Sequence, residues 1–195
     1  MDPPSRTLGV AFSDARDASH AAGVVVRADG TPDGFAFARC TVGGTDATDA
    51  VVDCWRALDR EDVRHVACAG VAPAWFNLLD LGRLSEALDR PVYAVSYEAS
   101  HGLEPALRDA FDGDALAERL ATYRSLPPRV PVASASDDPR FVRATGLDPE
   151  DAAAAVRGLT RDGFRRCEPL RIAALAASAH REAVTSEPVG ATDAP

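Results

Sequence analysis

The alternation of apolar and polar positions predicts an α/β chain that opens with three strands. Apolar or alternating runs at residues 8–12, 22–27 and 35–42 are separated by short polar segments, including a clear turn at residues 29–34. Short connections favour antiparallel neighbours, so we predict an opening antiparallel meander. Residues 1–6 are polar and are predicted to be loose.

The stretch from residue 64 to residue 80 is the centre of the pattern. An apolar run at residues 66–69 predicts a buried strand, residues 70–74 a Gly/Pro loop, and the following residues a helix that continues to Leu88. A buried strand followed by a loop and a helix is half of a βαβ unit. Because ligands in such sheets usually lie at the carboxyl ends of the strands, we expect any functional site there.

The rest of the chain alternates helical spacing with short apolar runs. Helices are predicted from residue 45 or 46 to 59 and at residues 103–111, 116–123, 149–159 and 168–181. Further strands are predicted at residues 92–97 and, at a sheet edge, 141–144. Residues 127–138 are predicted to be mostly loop. This element order is typical of a ribonuclease H-like fold: one α/β domain over residues 7–183, with a mixed sheet of antiparallel then parallel strands flanked by helices, and a disordered tail at residues 184–195.

The charged residues of the chain indicate the ionic conditions to which the protein is adapted. The 195 residues include 30 acidic and 21 basic residues, a net charge of -9, and every basic residue is an arginine. Such a surface indicates adaptation to a cytoplasm of high salt, where the Debye length falls to about 3 Å near 1 M. GC-rich coding bias is the alternative explanation. The acidity weakens the usual case for a nucleic-acid binder, which rests on a basic patch.

Cysteine spacing and hydropathy limit the class of protein further. Cys40, Cys54, Cys68 and Cys167 lack the spacing of a zinc site, so they are predicted to be buried free thiols. The sequence shows no signal peptide and no apolar run near the roughly 20 residues needed to span a membrane. We therefore expect a soluble, cytoplasmic protein without a membrane partner.

Three motifs occur in order at wide spacing. They are GGTDAT at residues 43–48, Gly70 followed by WFNLLD at residues 75–80, and EPLRIA at residues 168–173. On these motifs the chain resembles the archaeal domain-of-unknown-function 99 family, from Arg6 to about Glu182. That family is similar to endonuclease V, which has a ribonuclease H-like fold and uses magnesium to cut nucleic acid beside a deaminated base. The resemblance implies a ribonuclease H-like domain that handles nucleic acid.

The positions expected to bind metal depart from the family's pattern. Relatives carry Asp-Asp-Gly in the first strand, where this chain has Ala11, Phe12 and Ser13, and Asp-Gly at the end of the central strand, where it has Ala69 and Gly70. A two-metal nuclease needs oxygen ligands on adjacent strand ends. The substitutions therefore predict no cofactor and a nuclease activity that is weakened or lost.

The alternative keeps the metal chemistry through relocated carboxylates. In that case Asp14, Asp46 and Asp80 would bind Mg or Mn, and the chain would be an active metal-dependent endonuclease. A third possibility is a non-catalytic assembly protein that uses exposed parts of its alanine-rich helices. The oligomeric state is left open by the sequence.

A ligand-binding site at the strand ends is predicted from five polar residues. These are Asp46, Thr48, Asn77, Asp80 and Arg171, and the expected ligand is nucleic acid or a nucleotide-like molecule.

Each of these residues has a structural alternative. Asp46 stands where it could cap a helix, and Asn77 could serve a structural hydrogen bond. Arg171 has Glu168 as a local partner. Trp75 and Phe76 are expected in the core, with base stacking as the alternative.

Overall fold

The computed structural model describes residues 3–133 and 139–186, and it contains a single mixed sheet. The strand order is β3-β2-β1-β4-β5-β7-β6. The first three strands are antiparallel, β1, β4 and β5 are parallel, and β7 is antiparallel to β5. The predicted α/β domain with an antiparallel opening and a parallel centre is confirmed. The strands are β1 (Arg6–Asp14), β2 (Ala18–Arg27), β3 (Pro32–Thr41), β4 (His65–Ala69), β5 (Val92–Ser96), β6 (Val130–Pro131) and β7 (Phe141–Thr145).

Helices cover both faces of the sheet. They are α1 (Ala47–Leu58), α2 (Pro73–Phe76), α3 (Leu81–Leu88), α4 (Glu104–Ala110), α5 (Gly113–Ser125), α6 (Pro149–Gly158) and α7 (Glu168–Thr185). Across the described ranges, no helix combines the length and the apolar character that crossing a membrane would require.

Strand alternation assigns the helices to their faces. In β4, Val66 and Cys68 pack in the core on the side of α1 and α3, whereas Ala67 packs with α6 on the opposite side. In β1, Ala11 packs against α7. A Cβ on Gly9 would lie 2.4 Å from a backbone oxygen of α7. Only glycine at this position of β1 therefore permits the close approach of α7.

The predicted single helix after β4 is wrong. Residues 73–76 form one turn, in which Ala74, Trp75 and Phe76 have left-handed backbone angles, and a separate helix, α3, begins at Leu81. Asp80 starts this second helix, because its side chain accepts a hydrogen bond of 2.9 Å from the Arg83 N–H. The apolar spacing of α3 was visible in the sequence, but the break before it was not.

Smaller differences concern element ends. β1 begins at Arg6, where an ion pair of 2.9 Å with Asp33 ties down a residue predicted to be loose. Helix α7 continues to Thr185, past its predicted end. The strand predicted at a sheet edge, β7, lies between β5 and the two-residue β6. Residues 1–2, 134–138 and 187–195, which belong to the predicted loose start, loop and tail, lie outside the described residues.

The cysteine prediction is confirmed. All four thiols are free and buried, and burial raises the pKa of each above its ordinary value.

Candidate functional site

The parallel strands β1, β4 and β5 end at one edge of the sheet, and a cavity of about 270 Å³ opens there. The loop that follows β4 forms one wall, and residues at and after the end of β5 form another. A position at the carboxyl ends of parallel strands is the usual place for a ligand in such sheets. The lining residues include Gly70, Val71, Ala72, Ser96, Glu98, Tyr123, Arg129 and Arg143.

The loop that borders this cavity contains a turn of unusual backbone geometry. Ala74, Trp75 and Phe76 have φ angles of 48°, 52° and 61°, and the N–H of Asn77 donates to the carbonyl of Pro73 at 3.0 Å. Left-handed angles cost a residue with a side chain roughly 1–2 kcal/mol each. Backbone strain of this kind persists only where surrounding contacts enforce it, and it is frequent at functional sites.

The strained turn places an indole on the surface. Trp75 is 54% exposed, so the prediction that it belongs to the core is wrong. Its ring centroid lies 5.0 Å from that of Phe111 and 6.0 Å from that of Phe76. Phe76 and Phe111 pack on a small apolar cluster between α4 and α5, which also includes the cavity residue Tyr123. The three rings form an aromatic platform beside the cavity, and we use that name for Trp75, Phe76 and Phe111.

A buried arginine and a glycine support this platform. The Arg119 guanidinium carbon lies 3.9 Å from the centroid of the Phe111 ring, and its Nη2 donates to the carbonyls of Gly43 and Gly44. The Gly43 N–H donates to the carbonyl of Ala74 at 2.7 Å. A Cβ on Gly43 would lie 2.8 Å from the Trp75 ring, so the contact requires glycine.

Asn77 links the platform loop to the start of α1. The side chain is fully buried: its Oδ1 accepts from the Ala47 N–H at 2.8 Å, and its Nδ2 donates to the Thr41 carbonyl at 2.8 Å and to Asp46 Oδ1 at 2.7 Å. All of its hydrogen-bonding groups face protein atoms. This is the structural role that was the alternative to ligand contact for Asn77.

Asp46 belongs to the same network and does not cap α1. Its carboxylate accepts from the N–H and the hydroxyl of Thr41 at 3.0 and 2.9 Å, while Asn77 supplies the acceptor for the first turn of the helix. Burial acts to raise the pKa of Asp46, but these hydrogen bonds outweigh it and hold the pKa below its ordinary value. The carboxylate is therefore ionised and already occupied by protein donors.

Thr48 and Asp80 meet at the junction of α1 and α3. The Asp80 N–H donates to the Thr48 hydroxyl at 3.0 Å, and both residues line a second, polar cavity of about 150 Å³ that also includes Arg83 and Glu118. Asp46 and Asn77, hydrogen-bonded to each other, lie next to this junction, because Asp46 directly precedes α1 and Thr48 is its second residue.

Arg171 lies elsewhere. It is in the first turn of α7, on the opposite face of the sheet, and forms a two-bond ion pair of 2.7 and 2.8 Å with the buried Glu168. The Glu168 carboxylate also contacts Arg161, which reaches the turn between β2 and β3, at the other edge of the sheet. The structure thus brings four of the five predicted residues together and separates Arg171 from them. Ligand binding by the five residues stays a prediction.

The carboxylates of the metal-binding alternative are engaged separately. Asp14 accepts from the Ser19 hydroxyl at 2.5 Å, Asp46 is held by Thr41 and Asn77, and Asp80 caps α3. Within residues 3–133 and 139–186, no three His, Cys, Asp or Glu side chains are grouped so that they could hold a metal ion.

Two cavity residues were missed by the sequence analysis. Arg129 follows the predicted helix at 116–123, and Arg143 lies in β7; no motif includes either of them. Both residues lie at the cavity because β7 pairs with β5, and this pairing is a tertiary feature that the local sequence does not specify.

Comparisons with known proteins agree with this architecture. A UPF0215 protein of Pyrobaculum calidifontis is 35% identical over 162 residues, which cover 83% of this chain and 87% of that protein. The crystal structure of an Archaeoglobus fulgidus protein of unknown function has a TM-score of 0.80 at 24% identity, covering 90% of this chain and 97% of that one. Ciona intestinalis endonuclease V, in complex with a DNA that contains an inosine, has a TM-score of 0.62 at 12% identity and covers 92% of this chain and 87% of that one.

The two structural matches show the fold, which is that of endonuclease V. The sequence profile of the endonuclease dU family matches residues 4–181, nearly the whole chain. The family resemblance drawn from the three motifs is thereby confirmed, and the chain belongs to the endonuclease dU family.

Proposed function

We propose that this protein binds nucleic acid at an unpaired or deaminated nucleotide and cleaves it weakly or not at all. The observation that carries the proposal is the cavity at the carboxyl ends of β4 and β5, bordered by a strained loop that exposes Trp75. An exposed indole is a stacking surface for a base, and stacking of one base contributes about 1–3 kcal/mol.

The family supplies the class of ligand. The name of the family refers to an endonuclease for dU, and a fold relative is known in complex with DNA that contains an inosine. Both deoxyuridine and inosine arise by deamination. A base of this kind, displaced from its stack, could stack on the platform. It could also enter the cavity, which the same loop borders at Ala72.

Reduced cleavage follows from the strand ends themselves. The family resemblance implies carboxylates at the positions that Ala11 and Phe12 of β1 and Ala69 of β4 occupy in this chain. Without these oxygens, the strand ends lack the ligands that place a divalent ion against a phosphate.

The test is a binding assay with a fluorescein-labelled oligonucleotide that contains one dU or one inosine, as a single strand and as a duplex. Fluorescence anisotropy would be measured over a KCl series up to 1 M. We expect the modified strands to bind more tightly than the unmodified one, and Trp75→Ala to weaken binding by about tenfold or more. Phe35→Ala is the matched control, because Phe35 is 51% exposed but lies on β3, away from the platform.

The same samples, incubated with manganese or with a chelator, measure cleavage. Metal-dependent cutting that disappears in Asp46→Ala would establish the alternative, an active endonuclease with relocated ligands. Equal binding of modified and unmodified strands, unaffected by Trp75→Ala, would refute the proposal.

A further inference from the structure

The cavity at the ends of β4 and β5 contains two arginines from different elements. Arg143 lies in β7 opposite Ala94 of β5, and Arg129 immediately precedes β6. The chain has 30 acidic residues against 21 basic ones. Even so, the described residues place no carboxylate within ion-pair distance of either guanidinium, although Glu98 also lines the cavity.

Arg129 is held in a fixed orientation by neutral groups. Its Nη1 donates to the Ser100 carbonyl at 3.0 Å, its Nη2 donates to the Glu98 carbonyl, and its guanidinium carbon lies 3.7 Å from the centroid of the Phe141 ring. Its Nε is buried and has no hydrogen-bond partner within the described part of the chain. The guanidinium therefore retains one donor that these carbonyls do not satisfy.

Arg143, in β7, is held in a similar way by a backbone carbonyl and an aromatic ring. Its Nη1 donates to the Pro127 carbonyl, and its guanidinium carbon lies 5.6 Å from the centroid of the Tyr123 ring. Burial, together with the nearby charge of Arg143, lowers the pKa of Arg129. Two like charges thus share one cavity, and an anion placed between them would relieve the repulsion and part of the desolvation cost.

We propose that Arg129 and Arg143 form a binding site for the phosphate group of a nucleotide. The guanidinium suits this ligand, because its planar set of donors matches phosphate oxygens. The assignment of the phosphate to a nucleotide rests on the proposed function, whereas the anion site rests on the two arginines alone. The phosphate could belong to a nucleic-acid strand or to a free nucleotide.

The shape of the cavity agrees with a ligand of this size. Its volume of about 270 Å³ is just below the ~300–1,000 Å³ typical of small-molecule pockets, which fits one nucleotide and not a duplex. On the wall formed by the platform loop, Gly70 has a φ of +79°, and no atom lies within 4 Å of the place a Cβ would take. A ligand can therefore approach the backbone closely at that point.

The experiment compares four probes on the folded full-length protein. These are a labelled single strand with one dU, 2′-deoxyuridine 5′-monophosphate, 2′-deoxyuridine without phosphate, and inorganic phosphate, the last three also used as competitors of the first. The variants are Arg129→Gln and Arg143→Gln, with Arg→Lys at each position as the variant that keeps the charge. Arg166→Gln is the control, since Arg166 also lies over an aromatic ring, Tyr97, but is exposed on the opposite face of the sheet. Circular dichroism and thermal unfolding would verify that each variant is folded.

We expect each Gln variant to weaken the phosphate-bearing probes by about tenfold or more, and the Lys variants to recover part of that loss. Binding of the strand should also lose about 0.7 from the slope of log K against log salt for each phosphate contact removed. The nucleoside without phosphate should compete poorly, and Arg166→Gln should bind as the wild type does.

The possible failures separate the two proposals. If the strand binds, Trp75→Ala weakens it and both Gln variants leave it unchanged, the phosphate site is overturned and the proposed function stands. If only the free nucleotide or inorganic phosphate binds and the Gln variants abolish this binding, the phosphate site stands and strand binding is overturned. If no probe binds the folded protein, both are overturned.

Discussion

Replacement of Asn77, the only asparagine in the chain, should destabilise the fold because three contacts between distant segments depend on its amide. In Asn77→Ala, the buried N–H of Ala47 loses its acceptor, which costs about 1–3 kcal/mol. Asp46 loses one hydrogen bond to its carboxylate but keeps those from Thr41, and the Thr41 carbonyl still accepts from the Gly44 N–H. We therefore expect a total loss of about 3 kcal/mol in the free energy of unfolding.

Urea denaturation followed by circular dichroism in high KCl would measure this loss. With a slope of about 2 kcal/mol per molar urea, the midpoint should fall by roughly 1.5 M. The near-isosteric Asn77→Asp is the companion variant: it keeps the acceptor for Ala47 but turns an oxygen toward Asp46, where the two facing atoms lie 2.7 Å apart in the wild type. Two carboxylates at this distance raise each other's pKa, so Asn77→Asp should regain stability relative to the wild type as the pH falls toward 4–5.

A loss below about 1 kcal/mol in Asn77→Ala, or no pH dependence in Asn77→Asp, would refute the structural role of Asn77. If instead the stability is kept while binding of a modified strand is lost, Asn77 contacts the ligand directly, as the sequence allowed.

Three further predictions use other parts of the molecule. Burial and nearby cations lower the pKa of His20 in the folded protein. Its contribution to stability is therefore present above about pH 6.5 and is lost as the pH falls toward the folded pKa. The decrease in urea midpoint from pH 7.5 to 5.5 should be smaller in His20→Leu than in the wild type. The hydrogen bonds from Arg171 lower the pKa of the buried Glu168, so Glu168→Gln should cost about 2 kcal/mol at pH 7 and less below pH 4.5, as measured by the same titration. Gly43→Ala should lower the free energy of unfolding by at least about 1–2 kcal/mol, because the residue has a positive φ. It should also shift the fluorescence spectrum of Trp75, recorded in a protein whose other tryptophan is replaced by phenylalanine. An unchanged spectrum would contradict the packing described for the platform.

The sequence by itself determined the α/β class, the antiparallel opening and the positions of six of the seven strands. Alternating and continuous apolar runs are local signals, and they located the meander, the buried strand β4 and the loop that opens with Gly70. The three motifs also predicted the family, which the profile match over residues 4–181 confirms. These features were accessible because strand periodicity and turn residues are properties of short segments, independent of what packs against them.

Only the tertiary structure decided which residues share a site. The segment from Trp75 to Asp80 is spaced like a helix, but contacts with Gly43 and Thr41, more than 30 positions away, hold part of it in a left-handed turn and expose the indole. The sequence groups Arg171 with residues that lie on the other side of the sheet, because a helical pattern does not reveal which face of the sheet the helix covers.

The convergence of the two cavity arginines is likewise invisible in the sequence pattern. Arg129 and Arg143 are separated by 14 positions and belong to no motif, and they meet because β7 pairs with β5 and β6 with β7. Side-chain convergence of this kind depends on the register between strands and on the packing of helices over them. Local periodicity specifies neither the strand register nor the helix packing, so the site can be recognised only in the folded chain.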